Sequence, residues 1–417
     1  EPGQTVTVSG NVYRFAEATI DNPLAFDFGN VQVGDSLSQA VSITNSATDD
    51  GFSERLNASF GASSDARITN NGGSFSLLDA GATDNTGALV VVDTSSAGVV
   101  SGTQTLSFVS DGDGTSGLGQ TALPDQDLNV AANISATVFR LANPVIDNTQ
   151  PIAFGNLREG DTVSAQALSI TNDVPDEALS EALNADANGT TGGVLTNGGS
   201  FDLLGPAQTN DTAITVSIDT ASAGDKSGVA TIDFESDGTG SSGLGITPLP
   251  SQDVQVTGAV YRLAEADVAP TSVTLAGRIG DTVEQALAVT NTAADDGFSE
   301  RLNASLGSAT GDATASGALT LLGPQATDAS SLVVGIDTST AGLKAGTATV
   351  SVESDGTGTS SIAGNVALPD QTVNVSGSVY QAAVADVRTG AIDFGIVHVG
   401  DMVTPQNIAV SNIAPIA

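Results

Sequence analysis

The chain has no cysteine, no tryptophan, one methionine and one histidine. Without cysteine no disulfide braces the fold and no thiolate serves as nucleophile or metal ligand. A single histidine, His398, excludes multi-histidine metal sites and leaves one candidate base for a Ser-His-Asp triad. Lysine occurs only at 226 and 344, and the net charge is −37. A field of that sign repels nucleic acid and anionic membranes and draws cations. Long-chain helix formers are too scarce for long amphipathic helices. No run approaches the ~18 apolar residues of a membrane span. So little oxidisable material suits an exposed, long-lived protein.

What is present is Val, Ile, Leu and Ala within a 40% hydrophobic fraction, and 48 glycines among abundant Ser, Thr, Asn and Asp. That mixture favours short strands joined by tight turns. At 417 residues, three or four domains are expected.

Internal repetition is the main signal. A Gly-Asp pair recurs at Asp35, Asp161, Asp281 and Asp401, with spacings of 126, 120 and 120 residues. An aromatic after valine recurs at Tyr13, Phe139, Tyr261 and Tyr380, and a Ser-Asp-Gly turn begins at Ser110, Ser236 and Ser354. The segment GFSERLNAS at 51–59 returns unchanged at 297–305, with EALSEALNAD at 177–186 between them. EPGQTVTVSGNVY at 1–13 matches LPDQTVNVSGSVY at 368–380. The frame therefore predicts 1–20 as the last strand of a preceding repeat. Full repeats follow over 21–144, 145–266 and 267–386, and two strands of a fourth over 387–417. A parent protein extending both ways is expected.

Within a repeat, apolar residues alternate. Val41/Ile43, Leu168/Ile170, Leu287/Val289 and Ile408/Val410 share one register; Leu106/Phe108, Ile232/Phe234 and Val350/Val352 share another. Strands with one apolar face pack in antiparallel sheets, face to face. In the first full repeat, strands are predicted near 24–28, 37–44, 54–60, 74–78, 87–93, 103–109 and 126–140. This reads as an all-β fold of tandem immunoglobulin-like β-sandwiches. The last strand, 126–146, runs into the next repeat without a Gly/Ser- or Pro-rich spacer, so stiff junctions and an elongated rod are expected.

FGNVQVGDSLSQAVSITNSA (28–47), DGFSERLNAS (50–59), VSDGDGTSGLGQTALPDQ (109–126) and VYRFA (12–16) resemble the choice-of-anchor D repeats of bacterial surface and secreted proteins. The resemblance implies an immunoglobulin-like module in a prokaryotic, cell-surface or secreted setting. It brings no catalytic residues, and leaves the mode of attachment open.

Candidate sites are few. His398 aligns with Gln32, Arg158 and Arg278, and four different polar residues at one position suggest an exposed, unconstrained site. The Gly-Asp aspartates are expected to shape turns. Asp111 and Asp113, alternating in DGDGTSGLG, are the calcium candidates. The second and third repeats lack the second Asp, and no Glu closes the loop. Asp49-Asp50 with Glu54, and Asp295-Asp296 with Glu300, read as solvated loops rather than weak calcium sites or a glycosidase pair. Asn57, Asn133, Asn188, Asn210 and Asn303 begin glycosylation sequons. No other cofactor is expected.

The function expected is structural: a non-catalytic repeat spacer of an extracellular fibre, sheath or surface layer. The alternative is the stalk of a large adhesin whose binding tip lies elsewhere. Expected partners are neighbouring copies of the chain, with a cell-surface or glycan partner as a further candidate. Nucleic-acid binding and membrane insertion are not expected.

Overall fold

The structure is a computed structural model that describes residues 1–21, 25–128 and 134–415. The described residues contain strands and turns but no helix. They gather into three separate apolar cores, running from Ala16 to Val138, from Ala142 to Val260 and from Ala264 to Val379. The accessible surface is 21645 Å². A single globule of this mass would expose roughly 15,000 Å². Three small cores and the exposed segments 1–12 and 390–410 account for the excess.

The third repeat displays the sandwich most completely. One sheet orders Ala266–Ala269, Glu284–Asn291, Thr327–Ile336 and Ala313–Ser316. The other orders Ser272–Arg278, Gln371–Tyr380, Gly342–Asp355, Arg301–Gly311 and Ala318–Leu322. The entering chain serves both sheets. Ala266–Ala269 pairs antiparallel with Glu284–Asn291, and Ser272–Arg278 then pairs parallel with Gln371–Tyr380. The earlier repeats do the same: Phe26–Gln32 lies parallel to Ile134–Phe139, and Ile152–Arg158 to Ile246–Tyr261.

The alternation read from the sequence faces the cores. Ile43, Leu106, Ile170, Ile232, Leu287 and Val350 are fully buried, and each such side chain contributes about 1.5–3 kcal/mol. The strand Ala18–Ile20, however, pairs with Ile43–Asn45 and belongs to the first repeat. The boundary therefore falls a few residues before position 20, just after Arg14. Residues 1–13 carry no strand, and Val6, Val8 and Val12 stand exposed where Val373, Val375 and Val379 are buried. Short strands at Ile68–Asn70, Gly98–Gly102 and Gln120–Ala122 escaped the alternation, being too brief to show a period. The final strand is continuous over Ile246–Tyr261. In the first repeat, 129–133 and position 24 lie outside the described residues.

Candidate functional site at the repeat junctions

Each repeat buries one glutamate at the end that meets its predecessor. Glu54, Glu181 and Glu300 are buried. In the third repeat, Ser354 Oγ donates to Glu300 Oε2 at 2.8 Å and Ser360 Oγ to Oε1 at 2.6 Å. Ser236 and Ser242 bind Glu181 in the same way, as Ser110 and Ser116 bind Glu54. A buried carboxylate is tolerable only with its oxygens satisfied, and the two serines supply that from within the repeat. The expectation of solvated loops at Glu54 and Glu300 is therefore overturned.

The surrounding chain fixes this arrangement. Buried Asn45, Asn172 and Asn291 donate to the carbonyls of Glu54, Glu181 and Glu300 at 3.1, 3.1 and 3.2 Å. Ser110, Ser236 and Ser354 also accept the backbone N–H of Ala16, Ala142 and Ala264, each at 2.8 Å, where the chain enters the repeat. The glycine of the Ser-Asp-Gly turn is required by space. A Cβ on Gly238 would sit 2.2 Å from Ser242 Oγ and 2.5 Å from Glu181 Oε1.

The preceding repeat completes two of these sockets. Gln32 Nε2 lies 3.2 and 3.1 Å from the Glu181 oxygens and 2.9 Å from Thr247 Oγ1. Arg158 Nε donates to Glu300 Oε1 at 2.9 Å, and its Nη2 to the Gly364 carbonyl at 2.9 Å. Beside them, Asn30 Nδ2 donates to Ser242 O at 2.7 Å and Asn156 Nδ2 to Ser360 O at 2.6 Å. The position before Gly-Asp is thus constrained at Gln32 and Arg158, contrary to expectation. At His398, where the side chain is 97% exposed, the surface reading holds.

The Gly-Asp turn presents this residue. Asp35, Asp161, Asp281 and Asp401 accept the backbone N–H of Gln32, Arg158, Arg278 and His398 at 2.7–2.8 Å. The preceding glycines have φ between 81° and 96°, which non-glycine residues rarely adopt. The turn reading is therefore what the structure displays.

A backbone contact and an ion pair accompany each entry into a repeat. Arg14, Arg140 and Arg262 bridge in parallel to Ser53, Ser180 and Ser299. Their guanidinium groups meet Asp50, Glu177 and Asp296. Asp50 is held below the usual carboxylate range chiefly by Arg14, and Asp296 chiefly by the Phe298 N–H and then Arg262. Tyr13 packs on Phe52 and Tyr261 on Phe298, with centroids 5.6 Å apart.

At the calcium candidates, Asp111 accepts Asp113 N–H at 2.9 Å, Asn57 Nδ2 at 2.7 Å and Gln120 Nε2 at 2.6 Å. These donors, led by the Asp113 N–H, lower its pKa. They also point hydrogens at the oxygens a cation would use. Asp113 is exposed. Among the described residues no three His, Cys, Asp or Glu side chains converge to hold a metal. The sequon residues Asn57 and Asn303 are structural: each accepts the N–H of a positive-φ leucine, Leu77 or Leu321. Asn133 lies outside the described residues.

Sequence reasoning missed the socket, whose parts are distant in the chain. Its available signal was the Ser-Glu pair at 53–54, 180–181 and 299–300, constant in all three copies.

No protein-family model and no curated protein matches the chain. Among solved structures it is similar to mouse cadherin-23 repeats EC22–24, at 10% identity over 88% of this chain and 100% of that one, with a TM-score of 0.39. It is also similar to the protocadherin gamma B4 extracellular domain, at 9% identity over 92% and 55%, with a TM-score of 0.38. A third is protocadherin gamma B2 cadherin domains 1–5, at 11% identity over 87% and 60%, with a TM-score of 0.36. At these identities and scores the likeness bears on no ligand, partner or activity.

Proposed function

We propose that the chain is a non-catalytic structural spacer, a stretch of an extracellular fibre, sheath or surface layer of the choice-of-anchor D kind, in which tandem sandwiches are joined end to end. One observation carries this reading. The side chain before the Gly-Asp turn enters a buried glutamate socket of the next repeat at both internal junctions, as Gln32 with Glu181 and Arg158 with Glu300. Contacts of that kind give a tandem array nearest-neighbour coupling and resist bending. The composition supports the setting: no cysteine to oxidise and a net charge of −37, which keeps such an array soluble. The partners this reading assigns are neighbouring copies of the chain.

Solution scattering on the purified chain tests the architecture. Three sandwiches of roughly 30–40 Å each, in line, give a radius of gyration of about 35 Å, given the ~3.3 Å rise per strand residue. One compact globule of this length would give about 22 Å, and that result would sink the reading. Labelling native cells tests the setting: signal at the surface or on filaments is expected, and signal confined to the cytosol overturns it. Saturable binding on a glycan array would favour an adhesin stalk instead.

A further inference from the structure

The two internal junctions share their socket and differ in what enters it. Glu181 and Glu300 are both 0% exposed, and each is held by two serines of its own repeat. The flanking asparagine contacts, from Asn30 and Asn156, are the same within 0.1 Å. Gln32, however, is neutral. Its amide nitrogen reaches Glu181 at 3.1 and 3.2 Å and Thr247 Oγ1 at 2.9 Å, and among the described residues no Lys, Arg or His nitrogen lies within 4 Å of that carboxylate. Arg158 brings a cation, 14% exposed, to 2.9 Å of Glu300. Its second nitrogen grips the Gly364 carbonyl, so one side chain ties together two loops of the next repeat. Glu159 adds a 3.9 Å contact with Arg262 at the same junction.

We propose that the residue before the Gly-Asp turn sets the stiffness of each joint: arginine at 158 locks the second repeat to the third, and glutamine at 32 leaves the first joint more compliant. The physical basis is that both side chains reach two groups of the next repeat, but only Arg158 adds a full ion pair, which restrains orientation more than an uncharged amide donor does. A guanidinium fixed at two acceptors cannot pivot about a single bond. The Gln32 amide, shared between the Glu181 oxygens at 3.1–3.2 Å and Thr247 Oγ1 at 2.9 Å, brings no charge of its own to hold it there. The Gly-Asp turn holds the backbone of both residues alike, through Asp35 and Asp161, so the difference resides in the side chain. Position 278 is again arginine and 398 is histidine, so the repeat frame carries a series of joints of graded character. The inference concerns the joints themselves and stands apart from where the array is used.

The absence of cysteine makes the test clean. Ser59, Asp186 and Ser305 are exposed and occupy equivalent places in the three repeats. Spin labels on the Ser59→Cys/Asp186→Cys pair report the first joint, and on Asp186→Cys/Ser305→Cys the second. Pulsed electron–electron resonance then gives the distance distribution across each. The first distribution is expected to be the wider of the two, because an ion pair holds Arg158 where an uncharged amide holds Gln32. Gln32→Arg narrows the first, and Arg158→Gln widens the second. Equal widths in the unmodified chain overturn the proposal, as do widths that Gln32→Arg leaves unchanged. Gln32→Arg adds a contact to an intact repeat, so it decides the matter even where Arg158→Gln perturbs folding, which a melting curve detects.

Discussion

Replacing Glu300 by alanine isolates the contribution of one socket. The carboxylate accepts from Ser354 at 2.8 Å, Ser360 at 2.6 Å and Arg158 at 2.9 Å, and all of it is buried. Alanine removes the three hydrogen bonds together. Two hydroxyls of 0% exposed serines lose their partner, and the Arg158 guanidinium loses its counter-charge. Breaking a buried ion pair by deleting one partner costs about 3–5 kcal/mol, and each stranded hydroxyl about 1–3 kcal/mol. These figures overlap, since relaxation and water entry serve both. About 4 kcal/mol from the third repeat is the reasonable net. For a domain of this size that shifts its melting temperature by roughly 15 °C. Calorimetry reads the shift, and hydrogen exchange on peptides from 342–380 assigns it to the third repeat. Glu300→Gln, which keeps shape and one acceptor oxygen, should lose about half as much. A Glu300→Ala loss below about 1 kcal/mol would refute the claim that the socket stabilises its repeat, by placing it among ordinary surface substitutions.

Three further outcomes follow from the same geometry. Gly238→Ala should destabilise the second repeat by about 1–3 kcal/mol through the clash with Ser242 and Glu181, while Gly240→Ala, which meets nothing within 4 Å, stays near neutral in denaturant titration. The carboxyls of Asp111, Asp237 and Asp355 are lowered, Asp111 first by the Asp113 N–H, and the other two first by the hydroxyls of Thr239 and Thr357. Their stabilisation is complete above the unfolded aspartate value of about 3.9 and is lost as pH falls through the lowered folded values. Melting temperature should be level near neutrality and fall on that acid limb, and Asp237→Asn should make the limb shallower. Chelation should leave the melting curve in place, because N–H donors occupy the Asp111 oxygens; a drop of several degrees on chelation would restore calcium to the account.

The strands were legible because their cause is local. Val41 and Ile43 are two residues apart, face one core, and declare it by alternation. The Gly-Asp turn was legible for the same reason: Asp35 binds a backbone N–H three residues away. The socket was not. The partners of Glu300 stand 54, 60 and 142 residues away, the last of them in the preceding repeat, so no window along the chain contains them. Composition even pointed the wrong way. Glu54 and Glu300 follow paired aspartates and looked like part of an acidic loop, yet Asp50 and Asp296 turn outward to arginines while the glutamates turn in. Variation at 32, 158, 278 and 398 was read as freedom. At the first two it marks a contact whose partner is constant and whose entering residue is not.

Each complete repeat carries a glutamate pocket, and the first and second also send a side chain into the pocket of the next; repeat one builds its own pocket from Glu54, Ser110 and Ser116 with no neighbour's side chain donating to it among the described residues. At both internal seams the side chain comes from the repeat before and the pocket from the repeat after. The seams thus give the array a head and a tail: a unit turned end for end would set pocket against pocket and leave both carboxylates without a donor from outside.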